Sequence, residues 1–317
     1  MRLRRIVKVV AIATALTFAM NGTAVALITP VQIVAAKAAQ FRPSGSGTWY
    51  TWDSNSVAHP NHGNVYAQPV LGGAIVKVNA SRTEGFAGGF DPGTNTLIYQ
   101  QISAGQSNIY LYDLDTRQRT ALPGVNTPRW EYQPRISSTH VLFARDVRVG
   151  GLWYTTVFLQ DRSTLALTKL GKTKDRAVAY YSGSVGDAYA SYTLANNFGD
   201  GDQNVFVYDI GAGTRHKVPL PDRSAQYSPA VDETTGTLYF MRSGPACGAN
   251  VRLLTVPVTD LSAAPNQLAQ LPKGIDAGFE ASLAPSPLTV SGIDYLFARY
   301  VCRNGAVDIY AFPDVNA

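Results

Sequence analysis

Three arginines occupy the same position at the end of an aromatic-rich segment. Arg145, Arg242 and Arg299 end the segments VLFAR, LYFMR and YLFAR. Guanidinium groups bind carboxylate, phosphate and sulfate through a planar fork of N–H donors. Three converging arginines would form an anion site, whereas arginines that stack on aromatic rings and pair with nearby acids are structural. Each arginine lies two residues after a phenylalanine, on the same side of a predicted strand, and this favours the structural role.

One acidic segment has part of the pattern of a calcium loop. Asp200, Asp202 and Asn204 present oxygen atoms at alternate positions. The glycine that such a loop needs at its sixth position is Val205, and the glutamate at its twelfth position is Gly211. We therefore expect an ordinary turn here, with Ca²⁺ binding as the alternative.

Two histidines, His59 and His62, lie close together in another predicted loop. A zinc site needs further ligands, and the two remaining histidines, His140 and His216, fall outside the predicted loops on this face. We expect a surface turn at these two positions, no bound metal and no cofactor.

Four acids would serve an enzyme whose site formed near the first strand of each predicted unit. They are Glu84, Glu131, Asp276 and Glu280. However, the sequence contains no Gly-x-Ser-x-Gly elbow, no His-Glu-x-x-His zinc motif and no phosphate-binding glycine loop. We assign no catalytic residue, and we expect a binding protein more than an enzyme.

An internal repeat organises the chain after residue 40. The pattern aliphatic-aromatic-x-x-Asp/Pro recurs at separations of 44, 48, 48, 48 and 56 residues. Its six copies are VYAQP (Val65), IYLYD (Ile109), VFLQD (Val157), VFVYD (Val205), LLTVP (Leu253) and IYAFP (Ile309). Each copy follows an aromatic-rich strand and precedes a short polar one, and a further strand opens the unit. Each unit therefore holds four predicted strands.

Units of four strands cannot bury both faces alone, but stacking them in a ring does so. The sequence therefore predicts an all-β fold, a six-bladed β-propeller of four-stranded antiparallel blades. The sixth unit ends after its third strand, so we expect residues 27–34 to supply the missing outer strand and close the ring. A β-sandwich or jelly roll does not predict this period.

The loops between the second and third strands of all units emerge on one face, where we expect ligands to bind. Trp52 and Gln101 take the arginine position in the first two units. The candidate ligand-binding residues are Arg145, Arg242, Arg299, Trp52 and Gln101. Cys247 and Cys302 lie in two of these loops in adjacent blades. In an exported chain such cysteines oxidise, so we predict a disulfide, with two free thiols as the alternative.

The repeat units resemble those of TolB-like six-bladed propellers, which read roughly as aromatic-Ser-Pro-Asp-Gly, a strand, and Ile-Tyr-x-x-Asp. The best matches are Tyr227-Ser228-Pro229, Ile109 to Asp113 and Val205 to Asp209. The resemblance covers about residues 40–317 and is weaker in the first and last units. It implies the propeller fold and bacterial export, and it leaves function open because propellers host binding platforms, lyases and peptidase domains alike.

Residues 1–26 have the pattern of a secretory signal peptide. A basic start precedes the apolar run Val9 to Met20, and Ala24-Val25-Ala26 offers a small-x-small cleavage site. The run is shorter than the roughly 20 residues that span a bilayer. A second small-x-small site ends at Ala38, so the cleavage position has two candidates. We expect residues 27–317 to form one exported propeller domain without a membrane span.

The net charge of +5 depends on the predicted signal peptide. Cleavage after Ala26 removes four of the 27 basic residues and none of the 22 acidic ones, which leaves +1. A nucleic-acid partner is therefore not expected. The sequence predicts a non-enzymatic propeller that binds an envelope or extracellular protein, a peptide or a glycan on its loop face. The alternative is a secreted polysaccharide lyase or glycoside hydrolase with its site at the channel mouth.

Overall fold

The computed structural model describes residues 27–34, 38–56, 59–172, 179–195, 203–221, 224–286 and 292–315. In these residues, 24 strands form six antiparallel sheets of four strands, and no helix is present. The predicted signal peptide, residues 1–26, lies outside the described residues. Within the same ranges there is no helical segment of the length and apolarity that crossing a membrane requires.

The sheets are the blades of a propeller, numbered along the chain, and each begins with its innermost strand. Blades 1 and 2 comprise β2 (Gln40–Gly45), β3 (Trp49–Ser56), β4 (His59–Pro69), β5 (Val76–Lys77), β6 (Glu84–Phe90), β7 (Thr96–Ser103), β8 (Gln106–Asp113) and β9 (Arg119–Ala121). Blades 3 and 4 comprise β10 (Glu131–Ile136), β11 (His140–Val149), β12 (Leu152–Asp161), β13 (Leu167–Lys172), β14 (Ala179–Val185), β15 (Tyr189–Ala195), β16 (Gln203–Asp209) and β17 (Thr214–Lys217). Blades 5 and 6 comprise β18 (Ala225–Asp232), β19 (Thr237–Ser243), β20 (Arg252–Pro257), β21 (Asn266–Gln270), β22 (Ile275–Pro285), β23 (Ile293–Val301) and β24 (Val307–Phe312).

The N-terminal strand closes the ring. Strand β1 (Val31–Val34) is the fourth strand of blade 6 and pairs antiparallel with β24, with Val31 opposite Ala311 and Gln32 opposite Tyr310. Because β24 ends at Phe312, blade 6 has no later strand in the described residues to cover its edge. The predicted closing strand within residues 27–34 is confirmed, and so is the six-bladed fold.

The hydrophobic core lies in the seams between neighbouring blades, because every blade buries both of its faces. The seam between blades 5 and 6 holds Tyr227, Met241, Phe297 and Phe312. The rings of Phe297 and Phe312 stack with their centroids 4.9 Å apart. These aromatic residues belong to the repeated segments of the sequence, so the repeat that predicts the strands also supplies the seams.

The innermost strands surround a central channel and carry bulges that aim side chains into it. The register between first and second strand shifts in all six blades. In three blades the bulged residue precedes a proline and has a left-handed φ, namely Arg42 (50°), Gln133 (50°) and Ser228 (55°). A bulge bends its strand and redirects its side chains. Arg42 thereby reaches Glu280 of blade 6, and the Ser228 hydroxyl donates to the carbonyl of Gly278 at 2.7 Å.

Candidate functional site

A cavity of about 420 Å³ opens at one mouth of the channel, and we call it the loop-face cavity. It lies on the face that carries the loops between second and third strands, where the sequence predicts ligand binding. Most of its lining is apolar, and blades 1, 4, 5 and 6 contribute to it. The residues that shape it most are Phe41, Arg42, Tyr181, Gln203, Tyr227, Pro245, Ala246, Asp276, Glu280 and Tyr300.

The floor of the loop-face cavity is a buried charge network. The Arg42 guanidinium contacts Asp53 at 2.9 Å and Glu280 at 2.9 Å. The side chain of Arg42 is 23% exposed, whereas those of Asp53 and Glu280 are 0% and 5% exposed. Arg42 also lies over the ring of Phe86, 5.1 Å from its centroid. Burial lowers the pKa of Arg42, but the two carboxylates outweigh it and the pKa is raised, so this guanidinium is charged.

Arg135 of blade 3 extends the network across the channel. Its Nε donates to the carbonyl of Gly183 in blade 4 at 2.9 Å, and its Nη1 donates to Gly88 in blade 2 at 2.7 Å. Its Nη2 lies 3.6 Å from Glu280 of blade 6. We call Arg42, Asp53, Arg135 and Glu280 the channel plug, since together they tie five blades to one another at the channel centre.

A second cavity of about 270 Å³ lies at the other mouth, and we call it the opposite cavity. It is lined by the ends of innermost strands, including Ser44 and Ser184, and by the turns that follow them, including Pro92. Arg135 lines this cavity, while Arg42 and Glu280 line the loop-face cavity. The channel plug therefore lies between the two cavities.

Asp53 is the titrating group of the channel plug. Burial raises its pKa from 3.8 to about 6, the charge of Arg42 lowers it, and the charge of Glu280 raises it again. The backbone N–H of Ala87 also donates to Asp53 at 3.2 Å and favours the charged form. The carboxyl group is therefore protonated over a pH range in which an exposed aspartate is ionised.

Asp53 should make folding stability depend on pH between about 3.8 and about 6. Because its pKa is raised, the folded protein binds this proton more tightly than the unfolded chain, so its contribution falls as pH rises through this window. The change in pKa corresponds to about 3 kcal/mol. Urea unfolding of wild type and Asp53→Asn measures the difference in free energy of unfolding. The free energy of unfolding of wild type minus that of Asp53→Asn should fall by about 3 kcal/mol as the pH rises from about 3.8 to about 6. A difference that rises with pH would contradict the raised pKa of Asp53.

The wall of the loop-face cavity is held by Asp276. Its carboxylate accepts hydrogen bonds from the Tyr227 hydroxyl at 2.7 Å, from the Gly248 N–H at 3.2 Å and from the N–H of the next residue, Ala277, at 2.8 Å. Burial raises the pKa of Tyr227 well above its usual value, and the charge of Asp276 raises it further. Tyr227 is therefore a neutral donor that fixes Asp276 in the wall.

The predicted disulfide lies next to this wall. Cys247 and Cys302 are bonded, with their Cα atoms 6.0 Å apart, and join a loop of blade 5 to a loop of blade 6. Backbone bonds from Cys302 to Gly274 and from Gly274 to Gly248 hold the same loops. The two sulfur atoms and Asp276 lie close enough for a metal site, but bonded sulfurs are not thiolate ligands. In the described residues no other group of three such ligands comes together.

None of the three predicted arginines lines the loop-face cavity. Arg145 is 8% exposed, donates to Glu131 at 2.8 Å and lies over the rings of Phe143 and Phe158. Arg299 lies over the Tyr310 ring and donates to its hydroxyl at 2.6 Å. These contacts support the structural interpretation of both residues.

Arg242 has a different environment from the other two arginines. It lies beside Phe240 and opposite Arg252 on the neighbouring strand. Burial lowers the pKa of Arg242, and the charge of Arg252 lowers it further. The Nε atoms of both arginines are buried without a hydrogen-bond partner. Like charges in this arrangement destabilise a sheet, and an anion would relieve them.

Substitution by glutamine should separate these arginines. Arg145→Gln leaves Glu131 buried without its cation, so we expect a loss of about 3 kcal/mol of unfolding free energy in any buffer. Arg242→Gln removes a like-charge contact and should leave stability in chloride nearly unchanged. If sulfate binds between Arg242 and Arg252, it raises the melting temperature of wild type and not of Arg242→Gln. Thermal unfolding in chloride and in sulfate measures both effects. If the stability loss caused by Arg145→Gln differs between the two buffers, the structural role of Arg145 is contradicted.

The other predicted candidates also lie outside the loop-face cavity lining. Trp52 is buried in the seam between blades 6 and 1, with its ring 6.1 Å from that of Tyr66. The Gln101 amide oxygen accepts from Tyr99, Arg119 and the backbone of Ala80. Ligand binding by these two residues stays a prediction.

The four candidate acids divide between the cavity and the seams. Asp276 and Glu280 line the loop-face cavity. Glu131 is fully buried, and burial raises its pKa. The hydrogen bonds from Thr127 and Arg145 act in the opposite direction and lower it, but burial has the larger effect. Glu84 opens β6 and does not line the loop-face cavity. Asp200, Asp202 and the side chains of His59 and His62 lie outside the described residues, so the weak metal candidates stay predictions.

Arg42, Arg135 and Tyr181 are absent from the sequence-based candidates. A charged residue beside proline in an otherwise small or apolar innermost strand, as in FRPS and YQPR, is the signal that points to the first two. Tyr181 is an aromatic member of the repeat, and its sequence position does not distinguish it from the aromatic residues of the seams.

No known protein-family model matches this chain, and no curated protein sequence matches it either. Solved structures do match. TolB from Acinetobacter baumannii aligns with a TM-score of 0.55 and 15% identity, over 86% of this chain and 65% of that one. The putative TolB from Agrobacterium tumefaciens aligns with a TM-score of 0.57 and 10% identity, over 90% of this chain and 96% of that one. The chain thus spans about two thirds of the first TolB and nearly all of the second.

An oligogalacturonate lyase in complex with manganese also aligns, with a TM-score of 0.54 and 11% identity over 88% of this chain and 80% of that one. At such identities the likeness establishes the fold. The protein therefore has the fold of a six-bladed β-propeller, similar to the fold of the TolB structures.

Proposed function

We propose that this protein is an exported, non-enzymatic propeller that binds a peptide segment of an envelope or extracellular protein in the loop-face cavity. The observation that carries the proposal is the cavity itself, about 420 Å³ in volume, with the channel plug beneath it. Cavities of about 300–1,000 Å³ with apolar walls and a few placed polar groups are typical of ligand sites.

The shape of the cavity favours a protruding ligand group. Because the channel plug lies beneath the cavity, we expect a side chain or chain end to insert from the loop face and not to thread through the propeller. Tyr181, Pro245 and Tyr300 supply rigid apolar and aromatic surface around that group. Buried aromatic contacts of this kind dominate the energy of peptide interfaces.

Export is part of the proposal and is supported by two independent features. Residues 1–26 have the basic start, apolar run and small-x-small site of a signal peptide. Cys247 and Cys302 form a disulfide, a bond that persists in oxidising compartments.

A library of immobilised random hexapeptides, probed with the purified protein, tests the binding function. Ala246→Trp fills the loop-face cavity and should abolish binding of the selected peptides. Pro92→Trp makes a matched change at the opposite cavity and should leave binding within twofold of wild type. If no peptide is selected, or if both variants bind equally well, the proposed function is wrong.

A secreted polysaccharide lyase or glycoside hydrolase is the second candidate, because Asp276 and Glu280 both line the same cavity. The two roles are distinguished by chemistry. An enzyme should convert pectic or other acidic polysaccharides, with unsaturated or reducing sugar ends appearing over time, and Glu280→Gln should stop it. We expect no conversion by the wild-type protein, and sustained turnover would replace the binding proposal.

A further inference from the structure

We propose that the loop-face cavity selects a cationic group, the ammonium or guanidinium group of a peptide segment. This inference rests on the proposed function and names the chemistry of its ligand. It follows from the balance of charge around the cavity, from a hydrogen-bond acceptor without a donor that lines it, and from its aromatic walls.

The charges at and beneath the cavity floor do not cancel. The channel plug contains two guanidinium groups, Arg42 and Arg135, and two carboxylates, Asp53 and Glu280. Asp276 adds a third carboxylate, and its donors are a hydroxyl and two backbone N–H groups, none of which carries a charge. With every carboxyl group ionised, these five described side chains together carry one negative charge in excess.

A hydrogen-bond acceptor without a donor lines the same space, and it is on Gln203, not on Glu280. The Glu280 carboxylate is paired with Arg42, whose Nε lies 3.1 Å from Oε1 and 2.9 Å from Oε2, and with Arg135 at 3.6 Å. Gln203 is 7% exposed, lines the cavity and has an unpartnered buried amide oxygen. Buried acceptors of this kind cost free energy until a donor reaches them. A ligand that brings several N–H donors satisfies this oxygen, whereas an anionic ligand brings none.

Four of the six guanidinium nitrogens of Arg42 and Arg135 already donate within the protein, and the buried Arg135 Nη2 lies 3.6 Å from Glu280 without a hydrogen bond. Arg42, the cation that lines the cavity, directs its Nη1 to Asp53 and its Nε to Glu280. Arg135 directs its Nε and Nη1 to backbone carbonyls of other blades. A carboxylate or phosphate ligand would have to compete with these bonds and with the Glu280 carboxylate beside Arg42 and Arg135, and this disfavours an anion.

The walls suit an alkyl or aryl ammonium group. Tyr181, Tyr227 and Tyr300 line the cavity together with Phe41. Aromatic rings attract cations through the negative charge of their faces, and they also bury the apolar stem that carries an ammonium or guanidinium group. A lysine or arginine side chain and a free peptide N-terminus share this chemistry.

Calorimetric titration with four matched pentapeptides tests the inference. Three are acetylated and amidated Ala-Tyr-X-Tyr-Ala, with Lys, Met or Glu at X, and the fourth is the Met peptide with a free N-terminus. We expect the Lys peptide to bind about tenfold more tightly than the Met peptide, and the Glu peptide more weakly than both. A gain for the free N-terminus alone would identify the chain end as the cation.

Asp276→Asn removes the charge and keeps an oxygen that accepts the Tyr227 hydroxyl and the Ala277 N–H, although its amide nitrogen replaces the oxygen that accepts the Gly248 N–H. This variant should lose the preference for the Lys peptide over the Met peptide. Asp115→Asn removes the same charge from an exposed turn at the other end of the blades and should change nothing. Three results would overturn the inference and leave the binding function standing. They are tightest binding of the Glu peptide, equal binding of all peptides, and an equal loss of affinity for every peptide in Asp276→Asn. Failure of all four peptides with wild type, together with an unselective hexapeptide library, would remove both.

Discussion

Arg135→Met should destabilise the propeller by about 4 kcal/mol, the largest effect expected of any single substitution here. The substitution removes the donor to the carbonyls of Gly88 and Gly183, and it leaves Glu280 with one cation in place of two. Buried acceptors that lose their donors bear the full cost of desolvation. Urea unfolding followed by circular dichroism measures the free energy of unfolding.

Arg129→Met is the matched control, because Arg129 is exposed in the connection that leads into the same blade. It should change stability by less than about 0.5 kcal/mol. The double variant Arg135→Met with Glu280→Gln should lose less unfolding free energy than the two single variants together. The reason is that the Glu280 charge, which Arg135 compensates in wild type, is then absent. An effect of Arg135→Met below about 1 kcal/mol would show that the channel plug does not stabilise the ring.

Replacing Cys247 and Cys302 by alanine should lower the free energy of unfolding by about 4 kcal/mol, because the disulfide closes a long loop in the unfolded chain. The two cysteines are 55 residues apart in sequence. Backbone bonds among Gly248, Gly274 and Cys302 hold the loops independently of the disulfide. The double variant should therefore keep the near-ultraviolet spectrum of wild type at low denaturant.

A reductant provides the control for the disulfide. It should destabilise wild type by a similar amount and leave the double alanine variant unchanged. Thiol titration of the unfolded, unreduced protein should find no free cysteine, as in the structure. Two titratable thiols in the purified protein would contradict the disulfide.

The fold could be predicted because its information is local and repeated. Each blade encodes its own strands by alternation and its own breaks by turn residues, and six copies in phase identify the ring. The closing strand was predictable from the incomplete sixth unit, since blade 6 otherwise ends at β24. The structural environment of Arg145 also follows from a local feature, its alternation with Phe143.

The cavity could not be predicted because its contacts are distant in sequence. Arg42 and Glu280 are 238 residues apart, and Arg135 reaches carbonyls 47 and 48 residues away. The bulges in the innermost strands break the simple alternation that decides which residues face the channel. Strand patterns therefore locate the loop face, and only the closed ring shows which side chains meet there.

The crystal structure of the protein with its tightest hexapeptide tests the central claim most directly. The account predicts that an inserted peptide group lies in the loop-face cavity between Tyr181 and Pro245, above an intact channel plug. A peptide bound in the opposite cavity or along an outer strand, with the loop-face cavity empty, would contradict it.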